Sequence, residues 1–236
     1  MVLERGGHAA RASRSEALPR RPLADRVRGS RRAGARLSRA RVHRAREPPK
    51  GYETALAIGL AELHAAMQDR FGFAVDTYCG RTLQPNPWTD SWIDFYREHR
   101  ILHQVRSMVD ARRVAAREVR VFERLAARLD GLLEPGPAAL IHGDLWSQNH
   151  FADTEGRPVI FDPAGYCGHA EAELGMMTLF GGFTSELYGA YMDARGVDKG
   201  WRERNPLYQL YHVMNHATLF GGSYVDQAFE IARRFA

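Results

Sequence analysis

Residues 140–174 read LIHGDLWSQNHFADTEGRPVIFDPAGYCGHAEAEL. The apolar run 138–141 leads into His142, and the apolar run Val159, Ile160, Phe161 leads into Asp162. Residues 149–152 and 158–161 flank the turn sequence DTEGR, which predicts a β-hairpin. Short strands thus deliver two acids, Asp144 and Asp162, and an amide, Asn149, to strand ends and turns.

Outward from this stretch the pattern is helical. Upstream, Ala55, Leu56, Leu60, Leu63 and Met67 recur at three- and four-residue intervals and predict a helix with that face buried. FGFAVDTYCGRTLQPNPW (residues 71–88) is rich in turn formers and reads as an ordered loop. Asp90 is the expected cap of a helix carrying Trp92, Phe95, Leu102, Val105 and Met108. A further helical stretch carries Val114, Val121, Phe122, Leu125 and Leu129 and ends at LEPGP. Downstream, residues 171–180, 185–193, 206–220 and 224–235 read as helices separated by glycine-containing breaks. The expectation is a helical lobe whose polar motifs ride on a small β-hairpin.

The spacing of the polar residues carries chemistry. Protein kinases set a catalytic-loop Asp ahead of a metal-binding Asn at the interval seen between Asp144 and Asn149, with a second metal-binding Asp after a strand. Phosphoryl transfer needs a carboxylate that orients and deprotonates the attacking hydroxyl, and Asp144 is the candidate. Mg²⁺ prefers hard oxygen donors, which the Asn149 amide and the Asp162 carboxylate would supply. A lone HGD could be a helix-capping turn and a lone FDP a strand exit. Their combination in this order is a far more specific signal.

Charge divides the chain. The first 50 residues hold 14 Arg and one Lys against four acids and contain no aromatic residue. Such a segment buries too little apolar surface to offset its ordering entropy, so it reads as a disordered or non-native basic tail. A nucleic-acid-binding arm and a transit peptide are the other readings. The remainder has 18 basic and 24 acidic residues and shows no general nucleic-acid face. Two cysteines, Cys79 and Cys167, without zinc-type spacing suit a reduced, cytoplasmic protein. No apolar run is long enough for a membrane span.

LIHGDLWSQN followed by VIFDPAGYCGHAEAELGMMTLFGGF closely resembles the fructosamine-kinase (ketosamine-3-kinase) family. That family shows HGDLW-x-x-N, then DPA-x-x-x-GH-x-E-x-(D/E)-L, then a Phe-Gly-Gly-Phe-like segment. LAELHAAMQDRFGF, YCGRTLQPN and W-x-x-F-Y-x-E-x-R resemble its upstream stretch, so the likeness covers about residues 52–236. It implies an α+β chain: the mainly helical C-terminal lobe of a protein-kinase-like fold, of aminoglycoside-phosphotransferase type. It implies ATP- and Mg²⁺-dependent phosphorylation of a sugar hydroxyl on a small-molecule or protein-bound ketosamine. By motif position, Asp144 is the base and Asn149 and Asp162 are the metal and nucleotide ligands. His142 braces the catalytic loop, Trp146 touches the sugar or its amine carrier, and Glu173 holds the loop through a basic group or amide. Core or solvated roles compete for the last three.

Departures from the family pattern matter. The resemblance calls for an N-terminal lobe with a Gly-rich phosphate loop, a strand lysine and its partner acid. The only lysines are Lys50, in PPKG, and Lys199, downstream of the site. Gln148 stands where the family often has Gly. The expectation is a chain lacking the ATP-clamping lobe, which binds ATP poorly and turns over little. A non-catalytic pseudokinase module and a same-fold kinase for an aminoglycoside or amino alcohol are the alternatives.

Overall fold

The computed structural model describes residues 47–197 and 199–236. Most of the basic N-terminal segment therefore lies outside the described residues. Residues 47–50, Lys50 among them, form an exposed bend and turn.

Helix α1, Tyr52–Ala65, buries Tyr52, Leu56, Ala57, Leu60, Ala61 and His64. The buried face is rotated from the one expected: Ala55 is exposed, and Met67 leaves the helix for strand β1, Met67–Gln68. The periodicity was ambiguous because alanines and leucines fill several faces, and tertiary contact selects among them. The segment expected as a loop contains a ladder, β2 Thr77–Cys79 against β3 Thr82–Gln84, joined through Gly80. Three-residue strands are too short to display alternation.

Next comes one continuous helical run: α2 Trp92–Tyr96, a π-helical stretch Arg97–Leu102, and α3 His103–Asp110. Its cap is Ser91, whose hydroxyl accepts the Asp94 N–H at 3.2 Å, and not Asp90, which pairs instead with Arg70 at 2.8 Å. Ser91 sits three residues before the N–H to be capped, which is the geometry an N-cap requires. The run ends near Arg112, at φ 56°. Helix α4, Arg120–Arg128, begins later than the apolar pattern suggests, after a 3₁₀ turn at Ala116–Glu118, so Val114 packs from a loop.

Strand β4, Ala138–Ile141, then enters the core, and β5 His150–Ala152 pairs with β6 Pro158–Ile160 as the expected hairpin. Strand β7, Tyr166–Gly168, pairs with β4, giving an antiparallel sheet ordered β1-β4-β7 with Leu140 opposite Cys167. The helices α5 Glu171–Leu179, α6 Ser185–Arg195, α7 Trp201–Phe220 and α8 Ser223–Phe235 complete the lobe. Helix α7 starts five residues ahead of Pro206, which the sequence suggested as its first residue. A proline near the N-terminal end of a helix forgoes only one backbone bond, and the buried Trp201 anchors the added turn.

Two apolar clusters hold these elements. The larger joins α2, α3, α4, α7 and α8 around Phe95, Phe122, Leu210 and Met214. The smaller joins α1 and α6 to Leu145, Leu174 and Met177. Leu145, one residue past Asp144, thus plugs the turn after β4 into the second core. Gly175 lets α5 lie directly on α7, since a Cβ there would come within 2.8 Å of the Tyr208 backbone. Among the described residues, no helix is long and apolar enough to cross a membrane.

Candidate active site

The central strand β4 ends at Ile141, and the chain turns at once through His142, Gly143 and Asp144. Gly143 takes φ 79°, and a Cβ on it would lie 2.4 Å from the Ala164 carbonyl oxygen, so this turn needs glycine. The turn aims two backbone N–H groups at one buried carboxylate. Glu173, in the first turn of α5, accepts from the His142 N–H at 2.6 Å and the Gly143 N–H at 3.1 Å. Behind it stands His64 of α1, with Nε2 3.5 Å from Glu173 and Nδ1 2.7 Å from the Tyr191 hydroxyl. The Nε2 contact is an ion-pair distance that falls short of hydrogen-bond geometry. Burial pushes the Glu173 carboxyl up, but His64, His142 and the amide donors together hold it below its ordinary pKa. The negative charge at the loop is therefore fixed by its donors.

His142 spends both ring nitrogens on the loop. Nε2 lies 2.8 Å from the Phe161 carbonyl, which can only accept, so Nε2 carries the proton. Nδ1 then accepts the Asp144 N–H at 3.3 Å. One imidazole thus ties the turn holding Asp144 to the residue preceding Asp162. Asn149 makes a parallel tie: its Nδ2 donates to the Asp144 carbonyl at 2.8 Å, and its own carbonyl accepts from the Phe161 N–H at 3.0 Å. With Nδ2 committed, Asn149 Oδ1 remains an oxygen acceptor for a ligand.

Asp162 is exposed at φ 56°, a left-handed conformation uncommon outside glycine. Its charge reaches Asp144. Burial chiefly, then the charges of Glu173 and Asp162, push the Asp144 carboxyl up to about 7. Asp162 thus adds to the negative potential at Asp144, after burial and Glu173. Asn149 and Asp162 offer hard oxygen donors, a donor set that suits Mg²⁺. Trp146 is half-buried, with its ring centroid 6.4 Å from that of the exposed Phe180.

Three residues at the site escape a reading of the sequence. Arg100, on the π-helical stretch, is fully buried with its guanidinium 3.9 Å from the Tyr166 ring centroid. Cys79, on β2, and His212, on α7, each bring a donor atom within 4.8 Å of an Asp144 carboxylate oxygen. A π-helical interruption often marks a functional site, but it leaves no sequence signature.

A carboxylate-bearing loop after a buried strand, a hairpin, and a second acid after its return strand define the class: the mainly helical lobe of a protein-kinase-like fold. The fructosamine kinase family model matches residues 44–235, and the chain belongs to that family. It is 44% identical over 178 residues to a probable ketoamine kinase of Synechocystis sp., covering 74% of this chain and 59% of that one. It is 42% identical over 188 residues to a chloroplastic protein-ribulosamine 3-kinase of Oryza sativa subsp. indica, covering 77% of this chain and 54% of that one. A crystal structure of a candidate fructosamine-3-kinase from Thermobifida fusca superposes with a TM-score of 0.74 at 35% identity, over 80% of this chain and 66% of that one. The chain thus spans little more than half the length of the two curated relatives.

Proposed function

We propose that residues 52–236 form the acceptor-binding and metal-holding lobe of a kinase that moves the γ-phosphoryl group of ATP to a sugar hydroxyl of a ketosamine. The acceptor is a glycated amine, either free or carried on a protein. The observation that carries this reading is the pinned loop: Glu173 holds the His142 and Gly143 amides, and His142 ties the turn of Asp144 to the residue before Asp162. Phosphoryl transfer is catalysed mainly by positioning and charge, and a loop tied down at each of its ends is suited to that task.

In this reading Asp144 accepts the proton of the acceptor hydroxyl. Its raised pKa favours that step, because a base is most effective when its pKa lies near the working pH. Asn149 Oδ1 and the Asp162 carboxylate hold Mg²⁺, which when bound neutralises charge on the β- and γ-phosphates. His142 keeps Asp144 and Asp162 in register, and Trp146 offers an aromatic face to the sugar or its amine carrier. Lys50 lies in an exposed turn and Lys199 lies beyond α6, so neither occupies the strand position from which family members engage the phosphates. On this reading the 236 residues alone turn over slowly. A reducing compartment such as the cytosol suits the two free, buried cysteines.

The test joins this chain to the nucleotide-clamping segment of the Thermobifida relative and measures phosphorylation of a ketosamine-bearing amino acid against an aminoglycoside. Ketosamine should be the preferred acceptor, and Asp144→Asn should lower turnover roughly 10²- to 10⁴-fold. Near-wild-type turnover in that variant would remove Asp144 from the base role. Preference for the aminoglycoside would overturn the substrate class.

A further inference from the structure

The β2–β3 hairpin packs on α7 through a polar seam. Tyr211 donates to Gln84 at 2.6 Å, and Gln84 donates in turn to the Ala164 carbonyl at 2.8 Å. Asn215 reaches both the carbonyl and the sulfur of Cys79 at 3.3 Å. This seam carries Cys79 to the catalytic carboxylate. The Cys79 sulfur, a ring nitrogen of His212 and a carboxylate oxygen of Asp144 all lie within 4.8 Å of one another.

Two of these residues carry side-chain polar atoms without a hydrogen-bond partner among the described residues. His212 is 3% exposed, and its Nδ1 is buried with no hydrogen-bond partner among the described residues. The hydrogen bonds of Asp144 among those residues run through its backbone, leaving its carboxylate unclaimed. A buried polar atom without a partner is costly, and a ligand that supplies one recovers that cost.

We propose that Cys79, His212 and Asp144 form a binding site for a thiophilic divalent cation of the zinc type, separate from the oxygen pair of Asn149 and Asp162. Sulfur, imidazole and carboxylate are the donors zinc takes, while Mg²⁺ shuns sulfur. Zinc–sulfur and zinc–nitrogen bonds of about 2.3 and 2.0 Å put the donors of a tetrahedral site roughly 3.5 Å apart. The cluster would close by about an ångström, within reach of side-chain rotation. Three protein ligands leave the fourth position to water.

Burial keeps His212 neutral, the form that binds metal, and its pKa falls to about 3. The Cys79 thiol is pushed up to about 12 by burial first and by Asp144 second, so it is protonated without metal. Formation of the sulfur–metal bond therefore releases one proton to solvent, which only a cation with strong sulfur affinity can drive. Arg100 adds an opposing positive charge near Cys79, and the carboxylates of Asp144, Glu173 and Asp162 offset it. The consequence for catalysis rests on the proposed function: a carboxylate held by zinc cannot take the acceptor's proton, so the site would be inhibitory.

Cobalt(II) titration of the full chain under reducing conditions tests the site without any reference to phosphotransfer. The expected spectrum has a near-ultraviolet sulfur-to-cobalt charge-transfer band and intense visible bands of a four-coordinate ion. Zinc should erase both, and excess magnesium should not. Cys79→Ser should abolish the charge-transfer band, whereas Cys167→Ser should retain it. Should Cys79→Ser fail to fold by circular dichroism, His212→Gln decides: its zinc affinity against a chromophoric chelator should fall roughly tenfold or more. Weak octahedral cobalt bands in the wild-type chain, an unchanged charge-transfer band in Cys79→Ser, or unchanged zinc affinity in His212→Gln would overturn the assignment. A chain that binds cobalt as expected while Asp144→Asn keeps its turnover would leave the metal site standing and sink the proposed function instead.

Discussion

Glu173 receives the backbone N–H of His142 at 2.6 Å across 31 residues of sequence, and that contact helps fasten α5 to the turn bearing Asp144. The same carboxylate takes the Gly143 N–H, so both of its oxygens are in use. Glu173→Gln keeps one acceptor oxygen and turns an NH₂ group toward a backbone donor. Charge-assisted buried hydrogen bonds contribute about 1.5–3 kcal/mol each, so urea denaturation should show a loss of about 2–3 kcal/mol. A loss under ~0.5 kcal/mol would remove Glu173 as the clamp. Because its pKa is lowered in the folded state, Glu173 contributes stability above the unfolded pKa of 4.5 that is lost as pH falls through the lower folded value. Wild type should therefore lose more stability than Glu173→Gln on acidification below pH 4.5.

Asp144 behaves in the opposite sense. Its folded pKa, about 7, lies above the ordinary 3.8, so between those values the native chain holds a proton that the unfolded chain has released. Stability then falls as pH rises through that window. Asp144→Asn mimics the protonated form and should be nearly neutral at pH 4, yet stabilising on the order of 1–3 kcal/mol at pH 8. Thermal melts of both proteins in EDTA at the two values check this. Equal shifts at both would mean that Asp144 is ordinarily ionised. A stabilisation seen only at pH 8 would show that the residue proposed to serve turnover is also costly to the fold, as strained functional groups often are.

Local spacing makes Asp144, Asn149 and Asp162 legible as candidates, because each is positioned by its own strand end or turn within a short stretch. Glu173 was legible only through its place in a motif, since nothing in the sequence reveals that its partners are amides. His64, Cys79 and His212 were not legible at all. They come from α1, β2 and α7, and only tertiary packing brings them to the loop. The buried face of α1 differs from the one its periodicity suggests for a related reason: in a small-residue helix, the neighbours decide which side is covered. Asp90 and Ser91 are equally good capping types in sequence, and only the backbone geometry selects Ser91.

Arg100 shows most sharply how far composition can mislead, since arginine is seldom buried without an acidic partner. Among the described residues it has no ion pair. Nη1 donates to the carbonyls of Pro85 and His99, both at 2.9 Å, and Nη2 donates to Asn86 Oδ1 at 2.7 Å. The guanidinium also lies over Phe95 at 4.5 Å and Tyr166 at 3.9 Å. It therefore joins the π-helical stretch, the segment beside β3, and β7, the strand paired with β4. A planar, weakly hydrated fork can meet three acceptors and two ring faces at once, whereas an ammonium meets fewer and is costlier to strip of water. Arg100→Lys should thus destabilise the chain by about 2–4 kcal/mol, through a buried charge left with too few acceptors within its reach. Arg100→Met leaves three oxygens under-satisfied but strands no charge, so its loss in urea denaturation should be smaller than that of Arg100→Lys. The reverse order would mean that the positive charge itself, and not the shape of the guanidinium, holds these segments together.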